Sequence, residues 1–417
     1  MQKKTILMIS DHPLSTSGVG TQARWLINGL VNTGKYSFRC FGGAIKHDNY
    51  EIVAVDPDFI IKPTNGFGDK NLLRKTLAQV RPDALMLFTD PRFFIWIWEM
   101  ADEIQQICPI TYWHLWDNTP WPEFNRVLYD STDLINCINW PTYQMVKERF
   151  PEKTNYIPHA VPKDLFKPIP KHEARDFKIK LLGRERADHF TVLYVSRNAR
   201  RKMPADILKS WQMFLEQLKQ KYGHTNATIV MHCDPLDQEG TNLHSVVDML
   251  GISQNLIFSK DRIGFEDMRI LYNLCDTIVN RSSNEGFGLP TLEAMMCGKP
   301  IIALKTGGLT RQVEDIDTGE QYGIALEPEV KSMVGNLMIP YIYEDFVSHK
   351  TLMNAFMKMY EMGPEQREAL GQKAMTHAHK DYDLNAVVAE WDRTLTQTIE
   401  TWNNPVTKPC SWELKAI

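Results

Sequence analysis

Two carboxylates and a glycine-rich turn carry the clearest chemistry in this sequence. Glu285 and Glu293 bracket Gly286-Phe287-Gly288-Leu289-Pro290. Before them, Asp276-Thr277-Ile278-Val279 has the β-branched content of a buried strand; after them, Gly298 and Pro300 stop a helix that Pro290 is suited to start. The backbone from Glu285 to Pro290 is therefore expected at a helix N-terminus. Unpaired amides and the positive end of the helix dipole attract phosphate there, and Gly286 and Gly288 have no side chains to hold a diphosphate away. Glu285 precedes the helix and Glu293 lies in its first turns, where side chains lean toward the N-terminus, so both can flank one ligand. A carboxylate accepts two hydroxyl hydrogen bonds at fixed geometry, as a sugar or ribose requires. The pattern predicts a nucleotide-sugar site. The plain alternative, a helix with two surface glutamates, leaves the intervening glycines without a purpose.

The elements that must hold such a site show as an alternation. In the first half, strand-like segments at 5–10, 37–41, 52–56, 84–88, 110–115 and 134–138 are interspersed with helix-like ones at 21–32, 69–80, 93–107, 123–129 and 142–149. A Pro-, Lys- and Arg-rich stretch at 162–189 reads as an interdomain linker. A second series follows, with a strand at 190–195, a helix at 205–222, strands at 228–231 and 256–258, a helix at 265–274 and then the glutamate segment. This predicts an α/β protein of two doubly wound Rossmann-like domains facing a central cleft, with ligands at the carboxyl ends of the strands. A chain of 417 residues suits two such domains. Hydrophobic content of 43% and charged content of 24% are those of a soluble globular protein. No apolar run reaches the ~20 residues of a membrane span, and the chain starts on a strand rather than a signal peptide, so no membrane insertion and a cytoplasmic location are expected. The seven cysteines are scattered without a C-x-x-C pair and are expected reduced and mostly buried. A net charge of -4 supplies no overall attraction to nucleic acid or anionic membrane.

The run from Glu285 to Glu293 resembles the E-x7-E motif of the retaining glycosyltransferases of family 4, which have the GT-B fold. The resemblance extends over most of the chain. It implies an acceptor-binding domain at 1–165, a donor-binding domain at 166–385, and a helix and tail at 386–417 that return to the N-terminal domain. It also implies that Glu285 contacts the donor sugar and Glu293 the ribose. A departing diphosphate needs fixed cations where no metal supplies the charge. In Ser196-Arg197-Asn198-Ala199-Arg200-Arg201-Lys202, Arg197 and Lys202 match the family's arginine and lysine. Ser196 and Met203 stand where the family often has glycine, and Arg200 and Arg201 leave the pairing open. His114, in Tyr112-Trp113-His114-Leu115-Trp116-Asp117, matches the histidine beside the donor sugar; the other reading is a hydrogen-bonded, partly buried histidine. Gly18 and Gly20 match a glycine-rich loop near the acceptor and the donor phosphate, and Ile263 begins a loop that contacts the base. Thr306-Gly307-Gly308 matches a loop on the nucleotide side, and Asn155–Pro162, with His159 in place of an asparagine, a hinge. The resemblance thus assigns chemistry to His114, Arg197, Lys202 and Glu285, with Gly286, Phe287, Gly288, Leu289 and Glu293 completing the donor contacts. The donor is a nucleotide-diphosphate sugar, a UDP-sugar foremost, and neither cofactor nor metal is expected.

Other readings compete. Gly18-Val19-Gly20-Thr21-Gln22-Ala23 fits the dinucleotide pattern of an NAD(P)-dependent oxidoreductase, but the first strand ends near Ser10, too early for the tight turn, and no acid follows at the ribose position. A sugar-nucleotide epimerase or a phosphorylase on the same fold is compatible with the two glutamates. Asp56-Pro57-Asp58 and Asp315-Ile316-Asp317 are the metal-type triplets, of a kind that also arises in turns. For the acceptor, the sequence leaves a saccharide, a small metabolite, a protein or a hydroxymethylated base of viral DNA. Trp116, Asp117 and Trp121 are the candidate acceptor contacts, Asp117 being equally suited to cap a helix. The basic stretch 163–186 and the tryptophans suit a flipped base. The segment 329–349 reads as an addition with no assigned role.

Overall fold

A computed structural model describes residues 3–404. It forms two compact units. Of the described residues, the first holds those up to His159, the stretch Gly335–Tyr341 and those from Asn385 to 404; the second holds Ala160–Val334 and Ile342–Leu384.

The first unit is built on β1 (Lys4–Asp11), β2 (Tyr36–Gly43), β3 (Val53–Asp56), β4 (Phe59–Pro63), β5 (Ala84–Phe88), β6 (Ile110–His114), β7 (Leu134–Cys137) and β8 (Thr154–Tyr156). Their order is β3-β4-β2-β1-β5-β6-β7-β8, parallel except for the edge pair β3–β4. Ile6 to Ile9 and Ala84 to Phe88 are buried without alternation, as expected for parallel strands covered on both faces. β4 and β8 are strands beyond those expected from the sequence. The stretch 93–107 keeps one buried helical face, with Phe94, Ile97, Trp98, Ala101 and Ile104 inward. It is nevertheless two short helices, Ile95–Trp98 and Ala101–Ile104, because the Met100 amide bonds to the Ile97 carbonyl and tightens the turn between them. The C-terminal helix Leu384–Asn403 belongs to this unit. Trp391 packs edge-on against Trp113 at 5.0 Å, and Thr394 Oγ1 accepts from Asn136 Nδ2 at 3.1 Å.

The second unit has β9 (Phe190–Val195), β10 (Ala227–His232), β11 (Leu256–Ser259), β12 (Thr277–Asn280), β13 (Ile301–Leu304) and β14 (Gly323–Leu326), all parallel in the order β11-β10-β9-β12-β13-β14. The expected linker is not bare. Lys171–Leu182 is a helix that ends on Gly183 in a positive-φ conformation; its helix-forming run was obscured by the flanking prolines. The addition at 329–349 is a hairpin of β15 (Val330–Val334) and β16 (Ile342–Phe346).

Six described cysteines are free and buried; Cys410 lies outside the described residues. Among the described residues, no helix is long and apolar enough to cross a membrane.

Candidate active site

In the second unit, β12 ends at Asn280 and the chain runs through Arg281–Gly288 into the helix Leu289–Met296. Beside it, β9 leads to a one-turn 3-10 helix, Arg200–Lys202. The two segments are tied at backbone level. The Ser283 amide donates to the Arg201 carbonyl at 2.8 Å, and Arg201 Nη1 donates to the Asn284 carbonyl at 2.7 Å. This places Lys202 against Glu285 in an ion pair, both residues less than a tenth exposed. Asn280 Nδ2 and Ser282 Oγ each donate to Glu285 Oε2 at 3.3 Å. Burial pushes the Glu285 pKa up, but Lys202, Arg201 and these hydrogen bonds outweigh it and bring it down to about 2. A locked carboxylate and a buried ammonium thus lie side by side next to a helix N-terminus.

That N-terminus is shaped by glycine. Gly288 sits at φ +89, and a Cβ there would also lie 2.5 Å from Leu309 and 2.8 Å from Thr291 Oγ1. The Gly308 amide donates to the Glu285 carbonyl at 3.0 Å, and Gln312 Nε2 donates to the Phe287 carbonyl at 2.7 Å. The expected glycine-rich turn and the Thr306–Gly308 loop are therefore one hydrogen-bonded unit. Phe287 contributes backbone only: its ring is buried and packs against Tyr382 at 5.7 Å. Gly286, Leu289 and Ile263 are half-buried.

Glu293 is half-buried and accepts from the Tyr272 hydroxyl at 2.6 Å. Burial raises its pKa to about 7, against the Tyr272 hydrogen bond that lowers it. Tyr272 was missed because nothing in the local spacing of its helix, Phe265–Leu274, points to a carboxylate 21 positions further on.

The expected Arg197–Lys202 clamp is not assembled. Arg197 is exposed and forks onto Asp237, with Nε at 2.6 Å and Nη2 at 3.0 Å, and pairs with Glu239 at 3.2 Å. Arg201 is the arginine that acts on Glu285, while Arg200 is held by Glu344. Met203, standing where glycine is common, takes a left-handed conformation at φ +55.

The first unit places its candidates differently. Gly18 and Gly20 do not form a loop; they open the helix Gly18–Asn32. Ser17 caps it by accepting from the Gly20 amide at 3.0 Å, and a Cβ on Gly20 would meet the His12 carbonyl at 2.5 Å. His114 is fully buried, with Nε2 2.9 Å from the Tyr129 hydroxyl, and desolvation lowers its pKa to about 3. The structure therefore corrects its expected place at an open strand end: it is a neutral core histidine. Trp116 is 4% exposed and packs edge-on to Phe124 at 5.7 Å. Trp121 is half-buried and packs against Tyr129 at 4.8 Å and the Arg149 guanidinium at 4.5 Å. Asp117 is half-buried. The structure also shows Asp11, unnoticed in the sequence, at the end of β1, accepting from Ser17 Oγ at 2.7 Å and Thr89 Oγ1 at 3.4 Å. Both Asp-x-Asp triplets are turns: Asp56 accepts from the Asp58 amide at 2.9 Å and Asp315 from the Asp317 amide at 2.9 Å.

Two Rossmann-like α/β units of this kind define the GT-B architecture. The Anabaena protein HepE, solved in complex with UDP and glucose, superposes with a TM-score of 0.69 at 16% identity, covering 94% of this chain and 100% of its own. Residues 180–329, which include the Lys202–Glu285 cluster, match the family described as glycosyl transferases group 1. The D-inositol 3-phosphate glycosyltransferase of Stackebrandtia nassauensis is 42% identical over 77 residues, 18% of this chain and 17% of that protein. Its counterpart in Paenarthrobacter aurescens is 22% identical over 255 residues, 61% of this chain and 52% of that protein. The aligned stretches thus span from 17% to 52% of these curated relatives.

Proposed function

We propose that the protein is a glycosyltransferase moving a sugar from a nucleotide-diphosphate sugar, a UDP-sugar foremost, to a hydroxyl of a small acceptor with retention of configuration. The observation that carries this is the Lys202–Glu285 pair beside the N-terminus of Leu289–Met296. A sugar diphosphate presents hydroxyls on one side of the anomeric carbon and anionic oxygens on the other. Glu285, ionised at every physiological pH, accepts from the hydroxyls, while Lys202 and the helix amides meet the growing negative charge. Glu293 receives the ribose hydroxyls. In the step itself the bond from the anomeric carbon to the phosphate oxygen breaks and a bond to the acceptor oxygen forms on the same face. The acceptor proton passes to the departing phosphate, which leaves as the nucleoside diphosphate. The similarity to group 1 glycosyl transferases over 180–329 supports the donor class.

Two observations favour a small acceptor over a DNA base. Trp116 and Trp121 are packed. In the basic stretch, Arg175 pairs with Asp188 at 2.6 Å and Lys171 with Glu368 at 2.8 Å. The nicotinamide reading is weakened by the capping of the Gly20 amide by Ser17. Mass spectrometry of products from UDP-sugars with a panel of saccharides, D-inositol 3-phosphate and hydroxymethylated DNA tests the proposal. A glycosylated small acceptor with release of UDP is expected; turnover of nicotinamide cofactors alone, or of the sugar nucleotide alone, would overturn it.

A further inference from the structure

The hairpin β15–β16 is built into the cluster just described. Alternate residues of β16 and its exit hold the segment that leads to Glu285. The Tyr343 carbonyl accepts from Asn284 Nδ2 at 2.9 Å, the Asp345 amide donates to the Ser283 carbonyl at 2.9 Å, and the Val347 carbonyl accepts from the Arg281 guanidinium. Between them, Glu344 receives Arg200 in a fork, Nη1 at 3.0 Å and Nη2 at 2.5 Å. The carboxylate is 3% exposed, whereas Arg200 is 68% exposed. A buried carboxylate is costly unless paired, so Arg200 is held over it by the fork although most of its own side chain stays in solvent. Arg281–Asn284 therefore runs between β16 on one side and the Arg200–Lys202 turn on the other. Glu285 and Lys202 are the next residues along these two strips.

We propose that β16 is a brace for donor binding and that Glu344 is its positioning residue, fixing the Arg200–Lys202 turn so that Lys202 stays directed at Glu285 and at an arriving diphosphate. Glu344 acts through Arg200, which it holds in the fork described above. The inference rests on the donor-site reading above.

UDP binding by calorimetry and amide hydrogen exchange, on wild type, Glu344→Gln and Arg200→Ala/Glu344→Gln, test it. Glutamine keeps the shape and removes the charge. Glu344→Gln is expected to melt near the wild-type temperature and to bind UDP roughly tenfold more weakly, by displacement of the binding group. Its faster exchange should be confined to the amides of 200–202 and 283–286, with β1 and β5 unchanged. The double variant should bind no worse than the single one, because the two residues act as a pair. If wild type binds UDP and Glu344→Gln binds it equally well with unaltered exchange, the brace is refuted and the donor site stands. Wild type that binds no nucleoside diphosphate refutes the donor site, and the brace with it.

Discussion

Replacing Lys202 with methionine isolates the electrostatics of the cluster. The Glu285 pKa lies at about 2 against an ordinary 4.5. At ~1.4 kcal/mol per unit, that difference corresponds to about 3 kcal/mol of preference for the ionised form. It agrees with the ~3–5 kcal/mol expected when one partner of a buried pair is removed. The sign follows from the direction of the shift. In wild type the contribution of Glu285 is present above its unfolded pKa and is lost as pH falls through its folded value. Without Lys202 the burial that opposes ionisation is offset only by Arg201 and the hydrogen bonds, so the folded pKa rises and the stability contributed by the ionised form shrinks. Urea unfolding at about pH 5 and about pH 8 should show Lys202→Met destabilised by ~3 kcal/mol at the higher pH and by less at the lower. Lys202→Met/Glu285→Gln should recover most of the loss, since no charge remains buried without a partner. A single variant within ~1 kcal/mol of wild type at both pH values would refute this account of the pair.

Glu293, raised to about 7, favours the folded state most at pH below its unfolded value, and that stability is lost as pH rises through 7. Glu293→Gln should flatten the stability profile between mildly acid and mildly alkaline pH, as read by urea unfolding at several pH values. His114, with a folded pKa of about 3, takes up no proton in the range where the unfolded chain does. Its ring resonances should stay fixed from about pH 8 to about pH 5, while stability falls by up to ~1.4 kcal/mol per unit below the unfolded histidine pKa of ~6.5 on its account. Gly308→Ala puts a methyl 2.3 Å from the Phe287 Cα. It should cost ~1–3 kcal/mol in unfolding free energy through backbone displacement and weaken UDP binding measured by calorimetry.

Most strands of both sheets were legible because parallel strands buried on two faces are near-continuous apolar runs, as Ala84–Phe88 is; β4, β8 and β14 were not. The helix N-terminus after Glu285 was legible because glycine and proline mark backbone conformation directly. Partner choice was not. Three arginines stand within five residues of one another, and which one reaches Glu285 is decided by Asp237, 40 positions from Arg197, and by Glu344, 144 positions from Arg200. His114 stood at a strand end, the usual place for a ligand contact. Its burial depends on Tyr129 folding back beneath it from 15 positions away. The addition at 329–349 has no role legible in sequence for the same reason: β16 acquires meaning only when Arg200 and Ser283-Asn284 are beside it.

The Lys202–Glu285 pair is the proposed hold on the sugar diphosphate. Calorimetric titration of UDP and a UDP-sugar into wild type and into the charge-neutral Lys202→Met/Glu285→Gln variant tests it most directly. Saturable binding to wild type and at least tenfold weaker binding of both ligands to the folded variant are expected, the loss of one charge-assisted contact being worth ~1.5–3 kcal/mol. Equal affinity in the two proteins would contradict it.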